Sequence, residues 1–197
     1  MRSNDTLSSP ADIFGKSYVG FPIADVVTEE FVRDFGNRWE AAWNSHDTQQ
    51  VLALIHPDIK WNDTIFWPEV IHGHAALRAY VDKIWAVMPD VHFREVQLFS
   101  AVGSGRALYL FEQTATAPPA SGSSKKAATY GCDIFLGFRD GRLSDDMAQY
   151  EITEMMRQFE MLPPRNGRIG GGYLLSLMGS AKRSETIAAD LAARRAI

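Results

Sequence analysis

The segment KWNDTIFWPEVIHGH, residues 60–74, sets one carboxylate, Asp63, between two indoles, Trp61 and Trp67. Apolar rings strip hydration from an ionised Asp and favour its neutral form, so its pKa rises into a range useful for proton transfer. The same position also suits a strand-end Asp that bonds the turn after it. Asp133 lies in TYGCDIFLGF, among Tyr130, Cys132, Ile134 and Phe135. An unpaired buried charge is costly there, so this carboxyl is either neutral or paired by a neighbour. In LSDDMAQY, alternation places Asp146, Ala148 and Tyr150 on one face of a strand. His72 and His74 flank Gly73 at a helix start, where capping or surface roles are common. Neither they nor His46, His56 and His92 keep a zinc-ligating spacing, and no metal site is expected.

Three helical patterns precede the strands that carry most of these groups. In the first, Phe31, Val32, Phe35, Trp39, Ala42 and Trp43 recur at helical spacing, with Thr28 as cap and Glu29 and Glu30 in the first turn. Asp47 caps a short second helix, which His56-Pro57-Asp58 is expected to end before a strand over 59–65. Leu77, Tyr80, Val81, Ile84, Trp85 and Met88 form the stripe of a third helix that stops near Pro89. Strand-like runs follow: VHFREVQLFSAV, RALYLFEQTAT, AATYGCDIFLGF and LSDDMAQYEIT, separated by GSG, by the loop 117–126, which borders a pocket on this reading, and by RDGR. Tyr109 and Glu112 fall on opposite faces of their strand, so only one can face a pocket. Helices first and strands after indicate an α+β domain with a curved, mainly antiparallel sheet.

The flanks differ from this body. Residues 1–27 show no sustained period and read as an N-terminal arm. Residues 154–197 read as an extension, with a glycine linker near 167–172 and a final helix capped by Ser184. The run GRIGGG lacks the preceding strand and the Lys-Ser/Thr of a phosphate loop. The methionines of 155–161 are read either as a cover over a pocket mouth or as a subunit contact.

Composition narrows the function classes. With 197 residues and 46% hydrophobic content the chain can bury one sizeable core. A net charge of −4 with dispersed Lys and Arg does not suit a nucleic-acid partner. No apolar run is long enough for a membrane helix or a signal peptide, and Cys132 stands alone, so a soluble, reduced, cytoplasmic protein is expected.

The segments WEAAWNSHD, LIHPDIKWND, IHGHAALRAYVDKIWAVMPDVHF and DIFLGFRDGRL, in this order, resemble the nuclear transport factor 2-like superfamily. Within it the chain is similar to the SnoaL-like polyketide cyclases and ketosteroid isomerases over residues 28–153. The resemblance implies a cone-shaped fold with three N-terminal helices on a curved sheet. It implies that Asp63 is the general base and that Asp133 is a protonated donor to an oxyanion. Trp39 stands where the isomerases carry a donating tyrosine, and Ala148 stands where the cyclases carry an acid, which leaves Asp146 and Tyr150 as a further acid and phenol. Trp39, Trp43, Trp61, Trp67, Phe135 and His72 are the expected substrate contacts. The implied activity is a cofactor-independent isomerase or cyclase acting on a small apolar carbonyl compound, polyketide- or terpenoid-like. A dehydratase or epoxide hydrolase and a noncatalytic binding or dimerisation module are the alternatives, and a homodimer is the implied assembly.

Overall fold

The computed structural model describes residues 27–101 and 104–162. Helix α1, Glu29–Asn44, begins where Thr28 Oγ1 accepts the Phe31 amide at 3.1 Å, and α2, Thr48–Ala53, begins where Asp47 accepts the Gln49 amide at 2.8 Å. Both caps satisfy amides that have no partner within their own helix. Strand β1, Ile55–Asn62, is followed by the two-residue β2, Ile71–His72, and by α3, Gly73–Val87. The remaining strands are β3, His92–Ala101, β4, Arg106–Thr116, β5, Lys126–Arg139, and β6, Arg142–Tyr150; α4, Ile152–Gln158, closes the described chain.

The strands form one six-stranded sheet in the order β2-β1-β6-β5-β4-β3. The pair β1–β6 is parallel and the others are antiparallel, so the sheet is mixed. Asp140 and Gly141, both at positive φ, make the tight β5–β6 turn that RDGR predicts, and they bring Arg139 opposite Arg142. The stripe of α1 lies on the inner face of the sheet. Phe35 packs edge-on against Phe135 and Phe138, Trp39 against Phe135, and Trp43 against Phe93.

Two boundaries differ from the sequence reading. Strand β1 starts at Ile55 and runs through Pro57, ending at Asn62 rather than residue 65. Its register against β6 shifts between Ile55 and Lys60, so the proline sits where no ladder donor is needed. The chain after Tyr150 is helical, not the end of a strand: Met155 and Phe159, one turn apart, bury the same face of α4. This helix straddles the expected boundary between residues 153 and 154. The N-terminal arm, the glycine linker and the final helix lie outside the described residues.

Candidate functional site

Between α1, α3 and the inner sheet face lies an apolar pocket with a cavity volume of about 20 Å³. It is a narrow crevice, and a molecule of ring size fits it only if side chains move. Four of the expected site residues line it: Trp39, Trp43, Asp133 and Tyr150.

Asp133 is held by α1. The Trp39 indole donates to Asp133 Oδ2 at 2.9 Å, and the cross-strand neighbour of Asp133 on β6 is Ala148. An indole N–H can only donate, so Oδ2 is the acceptor and the proton of neutral Asp133 belongs on Oδ1. Burial pushes its pKa up to about 7, with the Asp63 charge adding to the rise and the Trp39 bond opposing it.

Asp63 does not line the pocket. It sits at the end of β1, fully buried, and its backbone carbonyl accepts the amides of Phe66 and Trp67 at 3.1 and 2.9 Å. That turn brings two rings over two phenols: Phe66 packs edge-on against Tyr150, centroids 4.9 Å apart, and Trp67 against Tyr80 at 5.7 Å. Tyr80 donates its hydroxyl to Asp63 Oδ2 and itself lines the pocket, standing between the carboxylate and the cavity. Burial pushes Asp63 up to about 6, opposed first by Tyr80 and then by the Phe66 amide and Tyr150. Burial and the Asp63 charge hold both phenols well above their ordinary pKa, so both keep their protons near neutral pH.

Asp146 lies one layer deeper. Its cross-strand neighbours are Trp61 on β1 and Phe135 on β5, it is fully buried, and neither carboxylate oxygen meets a donor in good geometry. Burial first, then the charges of Asp133, Asp63 and Asp145, push its pKa well up, which favours its neutral form.

The remaining expected contacts sit elsewhere. Trp61 is a second layer, its ring 5.9 Å from Trp39 and 6.0 Å from Tyr80. Phe135 is core beneath Trp39, and Trp67 braces Tyr80 from outside the pocket. His72 is exposed at the start of α3 and makes no side-chain cap, because its two-residue edge strand points it to solvent. His74 bonds the Ile55 carbonyl at 2.8 Å. The 117–126 loop contributes no pocket-lining residue. Among the described residues no three His, Cys, Asp or Glu side chains are grouped to hold a metal ion.

Three polar lining residues escaped the sequence reading of the site, Tyr80, Glu40 and Gln113, and a fourth, Tyr109, was left open there against Glu112. Tyr80 falls in the apolar stripe of α3; the signal for its role is that a buried phenol needs a partner. Glu40 Oε2 accepts the Tyr109 hydroxyl at 2.9 Å, so Tyr109 is the member of its strand that faces inward, while Glu112 faces out and pairs with Arg94 at 2.7 Å.

The sequence profile of the SnoaL-like domain matches residues 37–145, more than half of the chain. TsrD from Streptomyces laurentii superposes with a TM-score of 0.58 at 19% identity, over 69% of this chain and 99% of TsrD. A protein of ketosteroid isomerase-like fold from Catenulispora acidiphila, in complex with trimethylamine, gives 0.57 at 17% identity, over 70% and 96%. IdmH from Streptomyces antibioticus, described as a candidate polyketide cyclase, gives 0.54 at 16% identity, over 65% and 97%. These likenesses are of fold. No curated protein matches the chain. The helix-on-curved-sheet architecture, the pocket on its inner face and the profile spanning α1 to β6 agree, and the chain belongs to the SnoaL-like domain family.

Proposed function

We propose that this protein is a cofactor-independent isomerase or cyclase that removes a proton α to a carbonyl in a small, largely apolar polyketide- or terpenoid-like compound. The observation that carries the reading is the pairing of a pocket-facing carboxyl, Asp133, with a second buried carboxylate, Asp63, that reaches the same pocket through Tyr80. Neutral Asp133 donates from Oδ1 to the substrate carbonyl oxygen. The α-proton moves to the Tyr80 oxygen as the phenol proton passes to Asp63 Oδ2, leaving an enolate held by Asp133. Return of the proton to another carbon completes an isomerisation. Attack of the enolate carbon on a second carbonyl carbon of the same molecule completes a ring, with the proton delivered to the new alkoxide.

The test is deuterium exchange at the α-carbon of 1-tetralone, followed by NMR in D₂O. The unmodified protein exchanges it, and Asp133→Leu, which fills the same space but cannot donate, slows exchange by about 10² to 10³, the range for one oxyanion donor. Exchange unaffected by D133L contradicts the assignment. The cover that Tyr80 places over Asp63 favours a second reading, a noncatalytic small-molecule binder. That reading is selected if 1-tetralone binds without exchange.

A further inference from the structure

Gln113 lies on the inner face of β4, is 3% exposed and lines the pocket, yet among the described residues its amide nitrogen meets only two thioethers, Met88 Sδ and Met155 Sδ, each at 3.9 Å. Thioether sulfur is a weak acceptor, so a strong donor is buried with weak partners. A second donor lies at the same end. Phe93 faces Gln113 across β3–β4, and the Phe93 ring is 5.7 Å from Trp43, whose buried indole N–H has no acceptor among the described residues and which also lines the pocket.

This polar end stands apart from Asp133. Asp133 pairs with Tyr109, and Gln113 follows Tyr109 by four positions on the same strand face, with Phe111 between them. Four residues of strand advance about 13 Å. Two side chains reaching inward and two hydrogen bonds of about 2.8 Å take up part of that length, and the remainder fits the span of about two fused rings.

We propose that Gln113, backed by the Trp43 indole, forms a second polar subsite that takes a hydroxyl or carbonyl oxygen at the far end of a flat, fused-ring ketone. The inference rests on the reading of Asp133 as the donor to the substrate carbonyl. Met88 and Met155 are the flexible parts: a ligand oxygen displaces their sulfurs from the amide, and an unbranched thioether repacks at little cost. The substrate class is thereby narrowed from a simple apolar carbonyl to a bicyclic or larger ketone with an oxygen at each end.

The experiment is isothermal titration calorimetry of 1-tetralone and 6-hydroxy-1-tetralone with the unmodified protein, Gln113→Leu, Trp43→Phe and Asp133→Leu, each checked for a cooperative melt. The unmodified protein binds the hydroxyketone about tenfold tighter, the yield of one well-made buried hydrogen bond. Q113L brings the ratio to about one, and W43F, which keeps a ring but loses the donor, lowers the ratio in part. W43F alone decides if Q113L does not fold. D133L, which cannot donate, weakens both ketones alike and preserves the ratio. Equal binding of the two ketones by the unmodified protein, no binding of either, or an unchanged ratio in the Gln113 and Trp43 variants overturns the subsite. A ratio that falls in Q113L while D133L binds both ketones normally keeps the subsite and removes the role of Asp133.

Discussion

Two buried carboxyls, Asp63 and Asp133, differ in their partners. Asp63 is held by a phenol O–H and pushed up to about 6, whereas Asp133 is held by an indole N–H and pushed up to about 7. The proposed chemistry needs Asp63 ionised and Asp133 protonated, so the rate rises with pH as Asp63 loses its proton and falls as Asp133 loses its own. A bell with its maximum between these two values is the expected exchange profile, its limbs belonging to the coupled pair. Trp39→Phe checks which limb is which. The indole bond favours ionised Asp133, so losing it raises the Asp133 pKa and moves the alkaline limb to higher pH; a shift of the acid limb alone contradicts the assignment. The burial of Asp63 and Asp133 was legible in the sequence, because each is a carboxylate set in an apolar run; that Asp63 lies behind Tyr80 and outside the pocket lining was not. Tyr80 was not, because its partner is 17 residues away and the contact exists only once α3 has packed on β1.

At the scale of elements, the site depends on how closely β4, β5 and β6 bring their inner faces together. Gly131 on β5 lies opposite Phe111 on β4 and Tyr150 on β6. A Cβ there falls 2.7 Å from the Phe111 ring and 2.8 Å from the Tyr150 ring. Phe111 is itself wedged against Phe93, Tyr109 and Tyr150, so it cannot swing clear. Gly131→Ala therefore costs about 1–3 kcal/mol of stability, the usual penalty for overpacking a core, and displaces Tyr150. Chemical denaturation measures the first effect and loss of exchange activity the second. The helices α1 and α3 and the β5–β6 turn were readable from period and turn chemistry. The start of β1 and the helical end after Tyr150 were not: Pro57 is tolerated at a register shift against β6, and α4 forms because Met155 and Phe159 find an apolar surface made by distant strands.

For the whole molecule, the raised carboxyls of Asp63, Asp133 and Asp146 make stability depend on pH. Asp63, Asp133 and Asp146 are more readily protonated folded than unfolded, where a carboxyl titrates near the ordinary value of 3.8. Their neutral forms cost nothing extra below that value, and ionisation in the unfolded chain destabilises the fold as pH rises from about 4 through about 7. The melting temperature accordingly falls over this window, by the equivalent of a few kcal/mol, and Asp146→Asn, which cannot ionise, reduces the fall. A melting temperature that rises from pH 4 to pH 7 contradicts the burial of these groups. The catalytic account needs one thing more, that Asp63 acts through Tyr80, and a cycle of Asp63→Asn, Tyr80→Phe and the double variant in the 1-tetralone exchange assay tests it most directly. The account predicts that each single change removes about 10² to 10⁴ of the rate and that the double variant is no slower than either, because the two residues move one proton as a unit. Full exchange by Y80F, or losses that multiply in the double variant, contradicts it.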